Sequence, residues 1–131
     1  MTMKISRHIL VVCAVVAAAS AAAAQQSGIK RTALQQIEFP DGYITVSGLA
    51  ELPPGGNISR HTHPGIETGY LLEGEAVMSI DGEPDKHLKI GDSYVIPAGV
   101  AHDAKVHGDK GAKVMAVWVV DKTKPLAAPA K

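Results

Sequence analysis

Apolar and polar residues alternate with a period of two along most of the chain after residue 25, where no helical period is found. In residues 43–52, for example, Ile44 and Val46 fall on one face and Thr45 and Ser47 on the other. Such alternation is typical of strands that bury one face. We therefore predict about eight strands, at residues 43–52, 58–63, 67–73, 76–80, 87–90, 93–96, 100–107 and 113–120.

Turn-forming residues separate the predicted strands. Asp81-Gly82 lies between two alternating runs, which is a strong hairpin signal, and Gly91-Asp92 marks a second turn. Short strands at such regular spacing are typical of sandwiches and barrels. We therefore predict an all-β fold with a single domain, residues 25–121, built as a β-barrel of the double-stranded jelly-roll type.

Both ends of the chain differ from this central part. Residues 1–24 combine a basic start at Lys4, an apolar run over 9–19 and small residues at 22–24. Together these features predict a cleaved signal peptide and a periplasmic or secreted protein, with an uncleaved N-terminal anchor as the alternative. Residues 122–131 are rich in Pro, Ala and Lys, so we expect a flexible tail or a strap along a neighbouring chain.

Charge and aromatic content argue against nucleic acid and membrane surfaces as partners. Lys+Arg and Asp+Glu are 13 each, so the net charge is zero, whereas nucleic-acid-binding domains usually carry a basic patch. Only 4% of the residues are aromatic, which leaves little surface for stacking bases. Cys13 is the only cysteine and falls within the predicted signal peptide, so thiol chemistry is excluded for the mature chain.

Three histidines and one glutamate have the chemistry of metal ligands. His61 and His63 are two apart on a predicted strand and so face the same side. Glu67 follows four residues later, and His102 comes just after the turn at 97–99. Three imidazoles and a carboxylate suit a divalent Fe, Mn, Ni, Cu or Zn ion. A His-x-His pair alone would be weak evidence, because surface histidines on edge strands are common.

Glycines frame these residues in two regular motifs. The first reads G-x5-H-x-H-x3-E-x6-G from Gly55 to Gly74, and the second reads G-x5-P-x-G-x2-H from Gly91 to His102. In both motifs the sequence resembles the cupin superfamily, and in particular small single-domain cupins of the quercetin-dioxygenase-like type. The family's second motif continues with x3-N, and here Val106 occupies the position of that asparagine.

This resemblance implies a conserved jelly-roll barrel with one divalent transition metal at its centre. The residues that match the family's ligands are His61, His63, Glu67 and His102. The departure at Val106 does not touch a ligand position. By alternation from His102, Ala104 and Val106 face inward and make that wall apolar. We also expect each imidazole to have a hydrogen-bond partner that fixes its tautomer, with Asp103 as one candidate.

The remaining polar side chains are predicted to lie on the surface or to face away from the ligand cluster. His107 points away from His102 because it lies an odd number of positions along the strand. His87 lies in a charged stretch, so both His87 and His107 are predicted to be surface residues. Arg60 faces outward and is predicted to be solvated, and Tyr70 is predicted to face away from the glutamate ligand.

The fold alone leaves the reaction open. We favour a dioxygenase-like oxidoreductase in which Glu67 both ligates the ion and accepts a proton from a small organic substrate. A non-catalytic protein that binds a metal or a small ligand is the alternative, because no acid–base pair beyond Glu67 is recognisable. An isomerase or epimerase of a sugar-like substrate ranks third, since no second proton donor can be placed.

Association into a homodimer is also expected. The edge strands of an open jelly roll need covering, and related small cupins are often dimers. Residues 29–39, before the predicted core, are the candidate segment for crossing to a partner.

Overall fold

The computed structural model describes residues 28–131. Every element of regular secondary structure in that range is a β-strand. The predicted signal peptide, residues 1–24, lies outside the described residues. Between residues 28 and 131 there is accordingly no helix that could span a membrane. The strands are β1 (Lys30–Ile37), β2 (Tyr43–Leu52), β3 (Asn57–Thr62), β4 (Gly65–Glu73), β5 (Glu75–Ile80), β6 (Lys86–Lys89), β7 (Ser93–Ile96), β8 (His102–His107), β9 (Ala112–Asp121) and β10 (Ala128–Pro129).

The strands form two antiparallel sheets of five strands each. The first sheet has the order β1-β2-β9-β4-β7, and the second has the order β10-β3-β8-β5-β6. After β2 the chain passes repeatedly from one sheet to the other, as it does in a jelly roll. The predicted all-β jelly-roll fold is therefore confirmed.

Apolar side chains from both sheets fill the interior. Leu71 and Ile96 of the first sheet are 0% and 1% exposed, and Met78 and Ile80 of the second sheet are 4% and 3% exposed. Burial of one such side chain stabilises a fold by about 1.5–3 kcal/mol. Because the described residues contain no cysteine, the two sheets pack together through hydrophobic burial and not through disulfides.

The glycines that frame the two sequence motifs make turns that other residues would strain. Gly74 has a φ of 74°, and a Cβ there would lie 2.1 Å from the carbonyl oxygen of Gly111. Positive φ angles also occur at Gly55, Gly91 and Gly99. The spacing of the motifs therefore marks where the chain turns between strands, which is the role predicted for these glycines.

The hydrophobic pattern does not predict strand β1. This strand pairs with β2 from Lys30 opposite Glu51 to Ile37 opposite Thr45. Nearly all of its residues are exposed, so it has no alternation of buried and exposed positions to detect. Residues 30–37 of the segment 29–39, the candidate for crossing to a partner, pair with β2 of the same chain.

The C-terminal segment also differs from what its composition led us to expect. Residues 122–131, expected from their composition to be a flexible tail, return to the second sheet, where β10 pairs with β3 at Thr62 and His61. The backbone N–H of Ala130 also donates to the carbonyl oxygen of Arg60. Such pairing uses backbone groups, which every residue except proline carries in full. A composition rich in Pro and Ala therefore does not reveal it.

Candidate metal centre

The structure brings the predicted ligands together in the barrel interior. Their ligand atoms lie within 4.8 Å of one another, which makes them a group that could hold a metal ion: His61, His63, Glu67 and His102. His63, Glu67 and His102 are 5%, 6% and 3% exposed, and His61 is half-buried. Carboxylates are rarely buried to this extent unless they are paired or bind a metal.

Strand register explains why these residues meet. His61 on β3 and His102 on β8 are direct antiparallel partners in the second sheet. Glu67 comes from β4 in the first sheet, where alternation buries it on the same face as Gly69 and Leu71. His63 lies just after β3, in the link that leads from one sheet to the other. The cluster therefore spans the space between the sheets.

Backbone carbonyl groups fix the tautomer of all three histidines. Each Nδ1 atom lies at hydrogen-bond distance from a carbonyl oxygen, which can only accept, so Nδ1 carries the hydrogen and Nε2 keeps its lone pair. The pairs are His61 with Ser59 at 2.7 Å, His63 with Leu126 at 2.6 Å and His102 with Val100 at 3.1 Å. The expected partners of the imidazoles are thus present, but they are backbone groups and not Asp103.

The Nε2 atoms converge in a way that calls for a cation. The Nε2 atoms of His61 and His63 are 3.1 Å apart, and Oε2 of Glu67 lies 2.7 Å from Nε2 of His63. Nε2 of His102 is buried, has no hydrogen-bond partner among the described residues and lies 3.3 Å from the same oxygen. Lone pairs at these distances repel one another unless a positive charge lies between them.

The distances also suit a transition metal. Two ligand atoms at right angles around an ion, with bonds of about 2.1 Å, are about 3.0 Å apart. The separations of 3.1 Å between His61 and His63 and of 2.7 and 3.3 Å from Glu67 to His63 and His102 bracket that value. The residues present therefore fit a divalent ion bound by three imidazoles and one carboxylate.

Electrostatics favour the metal-binding protonation states of Glu67 and His61, but not that of His102. Burial opposes ionisation of Glu67, but close contacts with His102 and His63 and the hydrogen bond from Tyr94 outweigh burial and hold the pKa of its carboxyl well below the usual range. Burial lowers the pKa of His61, and the neighbouring His102 and His63 lower it further. For His102, burial lowers the pKa, but contact with the Glu67 carboxylate raises it more. A proton would thus compete with an ion chiefly at His102.

Two further residues at the site were missed from the sequence. The buried Tyr94 hydroxyl donates to Oε1 of Glu67 at 2.7 Å, and the Trp118 indole N–H donates to Nε2 of His63 at 3.3 Å. The indole donor is consistent with a lone pair on that nitrogen. Tyr94 could have been assigned to the interior because it alternates with the buried Ile96. Its position beside Glu67, however, depends on pairing between strands distant in the sequence.

Other side chains lie where the alternation predicts. Val106 is 4% exposed, and Ala104 packs against the same core, so this wall is apolar. Tyr70 is 47% exposed, and His87 and His107 are both exposed on the outer face of the second sheet. The predictions for these residues agree with the structure.

Arg60 has a different environment from the predicted solvated one. Its guanidinium pairs with Asp103 at 2.9 Å and with Asp81, and its Nε donates to the carbonyl oxygen of Lys131 at 3.1 Å. These contacts link β3 to β8, to the turn after β5 and to the C-terminus. Asp103 therefore serves this network and not the imidazoles.

Comparison with known families assigns the chain to the cupins. The family model described as a cupin domain matches residues 48–120, which is more than half of the chain. The chain therefore belongs to the cupin family, and the matched residues include all of the predicted metal ligands. This agrees with the resemblance read from the two motifs.

The curated relatives match only part of the chain. The HTH-type transcriptional regulator PuuR of Escherichia coli (strain K12) is 49% identical over 43 residues, which is 33% of this chain and 23% of that protein. Germin-like protein subfamily 2 member 2 of Arabidopsis thaliana is 36% identical over 70 residues, which is 50% of this chain and 32% of that protein. The chain thus spans about a quarter to a third of the length of these curated relatives.

Solved structures share the fold at low sequence identity. The DMSP lyase DddQ from Ruegeria pomeroyi superposes with a TM-score of 0.69 at 20% identity and covers 83% of this chain and 57% of that one. Recombinant oxalate oxidase in complex with glycolate superposes with a TM-score of 0.63 at 24% identity and covers 78% and 55%. At such identities the comparison establishes the architecture, while the reaction depends on the site.

The C-terminal segment should influence divalent-ion affinity, because the carbonyl oxygen of Leu126 orients His63. A chain that ends at Pro125 loses this acceptor and should bind Zn(II) or Mn(II) about 10–100-fold more weakly in calorimetric titration. Lys131→Ala, which keeps every backbone carbonyl of the C-terminal segment, is the control and should keep the affinity of the full chain. Equal affinities for all three chains, each checked for folding by thermal unfolding, would contradict this role.

Proposed function

We propose that this cupin binds one divalent transition metal ion through His61, His63, Glu67 and His102 and oxidises a small organic substrate with dioxygen. The observation that carries the metal proposal is the convergence of lone pairs. Each imidazole donates its Nδ1 hydrogen to a carbonyl oxygen and turns Nε2 toward the shared centre. Such an arrangement is costly without a cation and favourable with one.

The number of ligands supports a reactive site over a purely structural one. The group offers one ligand atom from each of its four residues, and an octahedral ion would keep open positions for exogenous ligands. Bound Fe, Mn or Ni would supply Lewis acidity and redox chemistry with dioxygen, whereas Zn or Cu would favour binding or hydrolysis. The apolar wall at Ala104 and Val106 suits an organic substrate with an apolar part.

Glu67 contributes more as a ligand than as a base. Its pKa lies well below the usual range, because contacts with two histidines and Tyr94 outweigh burial. A carboxylate with so low a pKa is a weak proton acceptor. Its proposed catalytic role therefore rests mainly on ligation, with proton acceptance as a secondary role.

A non-catalytic metal-binding or ligand-binding protein is the second candidate. Among the described residues, the ionisable side chain that touches the cluster from outside is Tyr94, and its hydroxyl is bound to Glu67. The site therefore offers few groups for moving protons, which favours binding or metal-centred redox chemistry. An isomerase or epimerase of a sugar-like substrate ranks third because it needs a free proton donor.

Metal content is the first test of the proposed function. The chain purified without a chelator or a His tag should carry about one ion per chain by plasma mass spectrometry. The variants His61→Ala and His102→Ala should lose most of it, because each removes one of the ligand atoms. His107→Ala, an exposed histidine on the same strand as His102, is the matched control and should keep the ion. An equal ion content in all four proteins would refute the metal site.

Oxygen consumption then separates the two leading functions. Metal-dependent oxygen uptake with a flavonol or an acireductone, absent in His61→Ala, is the expected result for an oxidoreductase. Tight binding of such a compound by the loaded protein, without oxygen uptake or product, would favour the binding protein instead.

We also propose that the protein is exported, on the basis of the pattern in residues 1–24. Mass spectrometry of the protein recovered outside the cytoplasm should give the mass of a chain that starts at Gln25. Recovery of the intact N-terminus from the cytoplasm alone would contradict export. This test is independent of the metal content.

A second copy of this chain is the proposed macromolecular partner. The outer face of the first sheet exposes apolar residues from three neighbouring strands, with Ile66 45%, Tyr70 47%, Val95 54% and Met115 38% exposed. Tyr70 and Met115 are cross-strand neighbours, so this surface is continuous. Large exposed apolar surfaces of this kind commonly mark interaction sites.

The border of this face is charged. Lys113 lies 3.6 Å from both Glu51 and Glu73 at one end of it. An apolar centre with a polar rim is typical of protein interfaces. A face that carries both features can bind the same face of a second chain about a two-fold axis.

Light scattering at micromolar concentration should therefore give about twice the mass of one chain, as expected for a two-fold dimer. Met115→Lys places a charge within the apolar face and should shift the mass toward one chain. His87→Glu, on the exposed face of the other sheet, is the control and should leave the mass unchanged. A single-chain mass for the unmodified protein would remove this proposal.

A further inference from the structure

The two oxygens of the Glu67 carboxylate have different partners. Oε1 accepts a hydrogen bond from the Tyr94 hydroxyl at 2.7 Å. Oε2 faces the cluster, 2.7 Å from Nε2 of His63 and 3.3 Å from Nε2 of His102. One oxygen is thus bound by a phenol, and the other is directed at the place where an ion would lie.

The position of Tyr94 depends on a glycine in the neighbouring strand. Gly69 on β4 is the direct partner of Tyr94 on β7. A Cβ on Gly69 would lie 2.3 Å from Cζ and 2.4 Å from the hydroxyl oxygen of Tyr94. Thr68 Oγ1 also donates to the carbonyl oxygen of Tyr94 at 3.0 Å, which fixes the backbone there. The phenol therefore lies directly over Gly69, and only a residue without a side chain leaves room for it.

We propose that Tyr94, seated on Gly69, is a positioning residue that occupies Oε1 of Glu67 and restricts this carboxylate to ligation through Oε2 alone. The inference rests on the proposed metal site and deepens it. Tyr94 is 7% exposed, so its hydrogen bond is shielded from bulk solvent. A buried carboxylate oxygen without a donor would turn toward the next available positive charge, which is the ion itself.

Ligation of Glu67 through one oxygen changes how many further ligands a bound ion could take. Three imidazoles and one oxygen fill four of the roughly six positions of an octahedral ion and leave about two open. A carboxylate bound through both oxygens would leave about one. Two open positions allow a substrate to bind through two oxygen atoms, or a substrate and dioxygen to bind together.

Tyr94→Phe tests the inference because it removes only the hydroxyl. The probe is Mn(II), and the measurements are water-proton relaxation, which counts exchangeable water on the ion, and the infrared splitting of the carboxylate bands. The full chain should hold about two such water molecules and show single-oxygen ligation. Tyr94→Phe should lose one of them and show a narrower splitting. Tyr43→Phe, an exposed tyrosine on β2, is the matched control and should resemble the unmodified protein.

A second variant tests whether Gly69 determines the position of the Tyr94 ring. Gly69→Ala should displace Tyr94 and give the same loss of one water molecule, provided that it folds. An unchanged water count and splitting in Tyr94→Phe, with or without a lower melting temperature, would overturn the inference, because a merely structural role affects stability alone. Failure of the unmodified protein to bind any ion would instead overturn the proposed function, so the two failures are distinguishable.

Discussion

A buried carboxylate among histidines is the constraint on which much of this structure depends. Glu67 is 6% exposed in the interior of a barrel that is otherwise lined by apolar side chains. Isolation of a charge in such a place is unfavourable unless neighbouring groups or a cation compensate it. Here the compensation comes from both sheets, because His63 and His102 approach one oxygen and Tyr94 donates to the other. The same contacts that stabilise the charge also arrange the ligands.

The orientation of the imidazoles depends on backbone groups rather than on side chains. Ser59 and Val100 each lie two residues before the histidine that they orient, so strand geometry alone supplies these acceptors. Leu126 is different, because it lies 63 residues from His63 and reaches it only through the C-terminal return to β3. Arg60 reinforces that return through the carbonyl oxygen of Lys131. The C-terminal segment is thus part of the site, although it contributes no ligand.

The sequence predicts which four residues cluster as a group that could hold a metal ion, because motif spacing and strand alternation both act over short distances. The two-residue step from His61 to His63, which places both on one face of a strand, and the positive φ at glycines such as Gly74 follow from local geometry. Strand β1 and the C-terminal pairing were not predictable in this way, because exposed residues and backbone hydrogen bonds leave no periodic pattern. Tyr94 was missed for another reason, since its contact with Glu67 requires the register between β4 and β7.

The residues around the histidine–glutamate cluster say more about the possible reactions than the fold does. Cupin structures with similar architecture include a lyase and an oxidase, so the architecture does not select a reaction. In this chain Glu67 is a weak base, and burial together with the Glu67 charge raises the pKa of Tyr94 well above its usual value. Near neutral pH the carboxylate therefore stays ionised and the phenol stays protonated, so that Tyr94 acts as a hydrogen-bond donor to Glu67. What the site offers is a fixed set of lone pairs beside an apolar wall, which suits chemistry carried by a bound ion.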